Sequence, residues 1–152
     1  INPDDPRFIE AGNMPKKIQE FCHETGQPIP ETKGEIIRCI YESLALRYSQ
    51  VWQSLMQHVD RAPTTLHIVG GGCQDNLLNQ FAANAIGVKV AACPVEATGL
   101  GNIMAQMLAD DVIADVAEGR QIILNSSLVE TFKPADQVVW TEAKARFATL
   151  TK

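Results

Sequence analysis

The run Leu66-His67-Ile68-Val69-Gly70-Gly71-Gly72-Cys73-Gln74-Asp75-Asn76-Leu77 sets three successive glycines between a β-rich apolar stretch and a segment of helical period. Glycine loses more backbone freedom on folding than any other residue. Three together are therefore kept where the chain must turn sharply or be approached closely. After a strand and before a helix, successive N–H groups can form an anion nest beside the positive end of the helix dipole. Two readings follow from the residues alone, and both stay open at this point: a cradle for phosphate or ribose, or a tight βα turn with no ligand. The two best-known phosphate loops are excluded. The segment 70–75 lacks the last glycine of GxGxxG, and no Gly-Lys-Ser/Thr follows as a P-loop requires.

The flanking sequence frames that loop. Ile18, Phe21 and Cys22 recur at helical spacing over 14–25, and Gly26 stands where a left-handed cap ends a helix. Thr32 and Glu35 form a capping-box pattern ahead of a long amphipathic helix over 32–58, whose broad apolar face includes Ile36, Ile40, Leu44, Tyr48, Trp52 and Leu55. Trp52 is expected in the core. Arg61-Ala62-Pro63 breaks that helix, and 65–69 reads as a strand. A helix over 74–85 closed by Gly87, a strand over 88–92, a turn beginning at Pro94 and a small-residue helix over 98–109 come next. That last helix, with Gly99, Gly101, Ala105 and Ala109, is expected to pack closely behind the glycine loop. A short helix is read around 115–124. The tail from 132 mixes both periods and receives no assignment. The order α-α-β-α-β-α predicts an α/β fold with a parallel sheet covered by helices. Two strands make a poor sheet, and the opening Ile1-Asn2-Pro3-Asp4-Asp5-Pro6 reads as the middle of a loop, so a fragment of a larger domain is expected.

Thirteen Lys and Arg against 18 Asp and Glu give a net charge of -5, which removes the basic footprint of nucleic-acid binding. No apolar run reaches the roughly 18 residues of a membrane span, and no secretory leader opens the chain, so a cytoplasmic location is expected. The four cysteines, Cys22, Cys39, Cys73 and Cys93, have no zinc-site spacing, and no metal ligands are assigned. If Cys22 and Cys39 sit on antiparallel helices they can face each other as a disulfide; the alternative is two reduced core thiols. Asp4 and Asp5 read as a solvated loop, and His23, His58 and His67 lie on different elements with no partner in sequence. Asn125-Ser126-Ser127 matches a glycosylation sequon, taken as chance.

A strand ending in Val-Gly-Gly-Gly, then Gln-Asp-Asn and a helix, then Pro94-Val95-Glu96-Ala97-Thr98-Gly99-Leu100-Gly101-Asn102 resembles the C-terminal domain of the FGGY carbohydrate kinases, members of the actin-like, ribonuclease H-like ATPases. Residues 1–8, 24–31, 38–45 and 67–74 carry the same resemblance, in order. Within the family it points to the branch acting on L-rhamnulose; the alternatives are another branch such as the fuculokinases, or a stand-alone actin-like nucleotide-binding or interaction module without catalysis. The resemblance implies that residues 1–152 are part of the C-terminal lobe: a helical hairpin over 1–60, a βαβα nucleotide-side segment over 64–134 and a tail over 135–152, with the N-terminal lobe absent. It implies ATP with Mg²⁺ as cofactors and L-rhamnulose as the sugar partner, phosphorylated at its 1-hydroxyl. The catalytic aspartate is expected upstream of Ile1, so no catalytic residue is assigned here. Gly71 matches the glycine whose backbone approaches the nucleotide, with Gly70 and Gly72 beside it. Asp75 falls where some relatives place an adenine-contacting asparagine, with Asn76 adjacent; an N-cap is the other reading of Asp75. A homo-oligomer through an exposed edge is a further expectation.

Overall fold

A computed structural model describes residues 1–126 and 129–151. Its elements run α1 (Met14–Glu24), α2 (Lys33–Met56), β1 (Thr65–Ile68), α3 (Asn76–Ile86), β2 (Lys89–Ala92), α4 (Ala97–Ala109), α5 (Val116–Ser126), β3 (Glu130–Phe132) and α6 (Gln137–Leu150), with 3₁₀ turns at Pro6–Phe8 and Gly71–Gln74. The local signals act as read. The N–H of Gln27 reaches the Cys22 carbonyl at 2.8 Å and that of Gly26 the His23 carbonyl at 3.2 Å, a paired closure in which Gly26 takes φ +67°. Thr32 and Glu35 cap α2 reciprocally: the Glu35 carboxylate accepts from the Thr32 N–H at 2.8 Å, and the Thr32 hydroxyl accepts from the Glu35 N–H at 3.2 Å.

The sheet has the order β1-β2-β3. β1 and β2 are parallel, in register from Thr65 opposite Lys89 to Ile68 opposite Ala92. β3 joins antiparallel through Val90–Phe132, Ala91–Thr131 and Ala92–Glu130, so the sheet is mixed rather than the parallel pair expected. A three-residue strand is too short to display a period, which is why 130–132 escaped the sequence reading.

α3 lies between two layers. Ala82 and Ala83 meet Val90, Leu66, Ile68 and Phe132 of the sheet, while Phe81 and Ala85 meet Ala45 and Leu46 of α2 and Trp140 and Phe147 of α6. Alanines at three of these positions let the backbones come close on both sides. A second cluster joins Ile18, Phe21 and Cys22 of α1 to Ile36, Cys39 and Ile40 of α2. α6 was hidden in the sequence because Val138 and Val139 point to solvent, while only Trp140 and Phe147, seven residues apart, are buried with partial cover from Ala143 and Leu150.

Two expectations are corrected. Trp52 is half-buried and lines an open groove with Tyr48, Val51, Leu55, Leu66 and Ile68, because the face of α2 on which it sits is only partly covered. The small residues of α4 do not produce a tight contact: the Cβ directions of Gly99 and Gly101 are open, and α4 has no fully buried residue. The close approach comes instead from Gly119 of α5, where a Cβ would stand 2.7 Å from Met104.

The Phe81–Trp140 pair, with ring centroids 5.3 Å apart, ties α6 to α3. Trp140→Ala is expected to cost about 3–5 kcal/mol, a large part of the roughly 5–15 kcal/mol available to a domain. Denaturant unfolding of the chain checks this, and a loss below about 1 kcal/mol would show that α6 is peripheral.

Candidate functional site: the glycine loop after β1

β1 carries the chain to Val69 and Gly70, where the backbone takes φ +78° and ψ −168°, a conformation open only to glycine. The turn is fastened to the β2–α4 connection: the Gly70 N–H donates to the Pro94 carbonyl and the Cys93 N–H to the Ile68 carbonyl, each at 3.0 Å. Gly71 to Gln74 then form a single 3₁₀ turn, with the Cys73 N–H bonded to the Gly70 carbonyl at 3.0 Å. The N–H groups of Gly71 and Gly72 open this turn and have no partner within it.

The three glycines thus differ in kind. Gly70 is demanded by its backbone angles. Gly71 and Gly72 have no positive φ, are exposed, and point their Cβ directions into space with no atom within 4 Å. Nothing among the described residues requires them to be bare.

Asp75 caps α3: one carboxylate oxygen accepts from the Leu78 N–H at 3.0 Å, and the other accepts from the Tyr41 hydroxyl of α2. The Tyr41 hydroxyl first, and the backbone N–H of Leu78 second, hold the Asp75 carboxyl below the usual carboxylate range. The same bond raises the Tyr41 phenol. Of the two readings open for Asp75, the cap is the one seen, and both oxygens are already engaged. Asn76, by contrast, is exposed at the first residue of α3. It borders a hollow of about 260 Å³ beside the loop, shared with Cys73, Gln74, Ala92, Cys93 and Glu130. Among the described residues no lysine or arginine lines that hollow.

Two contributors had no role in the sequence reading. Tyr41 lies 34 residues before its partner, a separation that no local pattern reports. Asn79 is buried on α3 and donates from its side-chain amide to the Cys73 carbonyl at 2.8 Å. Its signal was present as a polar residue of poor helix propensity on an apolar helix face.

The other candidates lie elsewhere. Cys22 and Cys39 are free thiols packed in the α1–α2 cluster, so the conditional disulfide is not formed. Burial raises the Cys22 thiol, and the adjacent Cys39 adds to the rise. Among the described residues no three His, Cys, Asp or Glu side chains gather as a metal site, and no helix is long and apolar enough to cross a membrane. The sequon's Ser127 falls outside the described residues.

A bare loop at the carboxyl end of a parallel strand, leading into a helix, is the place where open α/β sheets receive ligands. The class of protein is an α/β domain with such a loop at the strand end. The chain belongs to the FGGY family of carbohydrate kinases: the family's C-terminal domain matches residues 1–109, and the fold is of the ribonuclease H-like, actin-like ATPase kind. Curated relatives agree. A protein named rhamnulokinase from Bacteroides thetaiotaomicron is 48% identical over 147 residues, covering 97% of this chain and 30% of the relative. A rhamnulokinase from Enterobacter sp. (strain 638) is 47% identical over 134 residues, covering 88% of this chain and 27% of the relative. The chain spans less than a third of the length of these relatives.

The Tyr41–Asp75 bond has a definite pH window. A depressed Asp75 contributes stability above about pH 4, lost as pH falls through its lower folded value. A raised Tyr41 contributes below about pH 10, lost as pH rises through its higher folded value. Tyr41→Phe is therefore expected to lower stability near neutral pH, with the difference from wild type shrinking below about pH 3. Unfolding curves across pH check this; a cost independent of pH would remove the bond as its cause.

Proposed function

We propose that this chain forms the nucleotide side of an ATP-dependent sugar kinase, which in its full-length form phosphorylates L-rhamnulose to L-rhamnulose 1-phosphate in the cytoplasm. Membership of the FGGY family and the names of relatives at 47–48% identity support the sugar and the reaction. The observation that carries the nucleotide assignment is the unused bareness of Gly71 and Gly72, whose Cβ directions meet nothing among the described residues.

ATP fits this loop in a particular sense. The positive end of α3 already has a carboxylate on it, that of Asp75, and the hollow beside the loop offers amides, thiols and one carboxylate rather than a cation. Such a surface suits the neutral nucleoside end, whose ribose hydroxyls and base edge pair with N–H and amide groups, better than a bare triphosphate. Gly70 sets the direction of the loop, Gly71 and Gly72 admit close approach of the nucleoside, and Asn76 with Gln74 offers amide contacts at its edge. Asp75 acts by capping α3 and tying it to α2. Bound ATP supplies the transferable phosphoryl group, with Mg²⁺ neutralising its charge. The residues of this chain contribute binding and orientation, on which phosphoryl transfer chiefly depends, and no catalytic base is assigned among them.

Gly71→Val tests the assignment cleanly, because the added atoms meet open space in the free protein. In the full-length kinase the ATP KM is expected to rise roughly tenfold or more, with the thermal midpoint within about 2 °C of wild type. Unchanged ATP kinetics would remove the nucleotide role. A panel of ketoses in a coupled assay tests the sugar, and a preference for L-fuculose over L-rhamnulose would reassign it.

A further inference from the structure

We infer that Asn79 is a positioning residue for the glycine loop: its buried amide staples the Cys73 carbonyl and so fixes the Gly71–Gly72 backbone in the form that meets the nucleotide. The inference rests on the nucleotide reading above and adds to it a residue that makes no contact with ligand.

Asn79 is 1% exposed, the most enclosed polar residue of α3. Of the two ends of the Asn79 amide only the NH₂ can donate, so the 2.8 Å contact with the Cys73 carbonyl fixes which way the group is turned. Its Oδ1 then has no hydrogen-bond partner among the described residues. A buried orphan acceptor is a liability to the fold, and a leucine, which has the same branching, would carry no such acceptor. For the fold alone, asparagine is the poorer choice. Its one hydrogen bond leads to the loop, six residues earlier in the chain.

The place of that bond matters. The loop is held on its strand side where the Gly70 N–H meets the Pro94 carbonyl, and across the turn where the Cys73 N–H meets the Gly70 carbonyl. The Asn79 amide fastens the far side of the same turn at Cys73. Gly71 and Gly72 thus lie between two pinned points, one on the sheet side and one on α3. The Gly72 carbonyl also accepts from the Asp75 N–H at 3.3 Å, a longer contact than the Asn79 bond, and two adjacent glycines left loose would have to be ordered by the ligand at the expense of affinity.

The experiment uses the full-length kinase with Asn79→Leu and Asn79→Ala, and Gly71→Val as the control. The expected result is an ATP KM raised roughly five- to tenfold by each Asn79 variant, the loss of about one hydrogen bond's worth of preorganisation. The sugar KM is expected to stay within twofold, and the thermal midpoint of Asn79→Leu to be equal to or above that of wild type. If Gly71→Val raises the ATP KM while both Asn79 variants leave it unchanged, the staple is overturned and the nucleotide reading stands. A lowered midpoint with unchanged ATP KM assigns Asn79 to the core and also overturns it. If Gly71→Val is itself without effect, the nucleotide reading fails and the staple falls with it.

Discussion

The close packing of α3 on two sides is the constraint from which the rest of the structure follows. Ala82 and Ala83 turn to the sheet while Phe81 and Ala85 turn to α2 and α6. A helix buried on both faces cannot slide or rotate without opening a cavity on one side, and interiors tolerate such voids poorly. Its amino end is thereby fixed relative to the carboxyl end of β1. The glycine turn has to join two points that the core has already placed, and the shape of the loop follows from that span together with the angles at Gly70.

The polar contacts at this end of α3 divide the work. Asp75 answers the free N–H of Leu78 and takes the Tyr41 hydroxyl, so it serves the helix start and the link to α2 at once. Asn79 reaches back under the turn to Cys73. These side chains act on the loop from the protein side, and the outward side keeps bare backbone and the exposed Asn76. A turn built only to reverse direction would gain stability from a side chain at Gly71, since glycine there costs backbone entropy without any positive φ to justify it.

The parts of this arrangement that a linear sequence could express were legible in it. The capping box at Thr32 and Glu35, the glycine closures of α1 and α3, and the strand–glycine–helix order depend on residues a few positions apart, and they appear where the spacing placed them. The N-cap role of Asp75 belongs to the same group. What depended on distant partners was not legible. α6 shows exposed valines next to its buried Trp140, so its apolar stripe is obscured until Phe81 supplies the reason for it. Tyr41 finds Asp75 across two helices. The glycines of α4 looked like a packing face, yet composition says only that close approach is possible, and the approach is made by Gly119 of α5.

The same distinction explains why the loop residues could be named before their roles could be divided. Three glycines in a row look equivalent in sequence, and the resemblance to a kinase family assigns them together. The backbone separates them: Gly70 answers to conformation, whereas the Cβ directions of Gly71 and Gly72 meet nothing among the described residues. Bareness that the fold does not use is more informative than bareness that it needs, because the fold supplies no reason for it and the proposed external partner does. On the nucleotide reading proposed above, that partner meets amides and a carboxylate, with no cation among the described residues of the hollow, which favours the nucleoside of ATP over its phosphates at this loop.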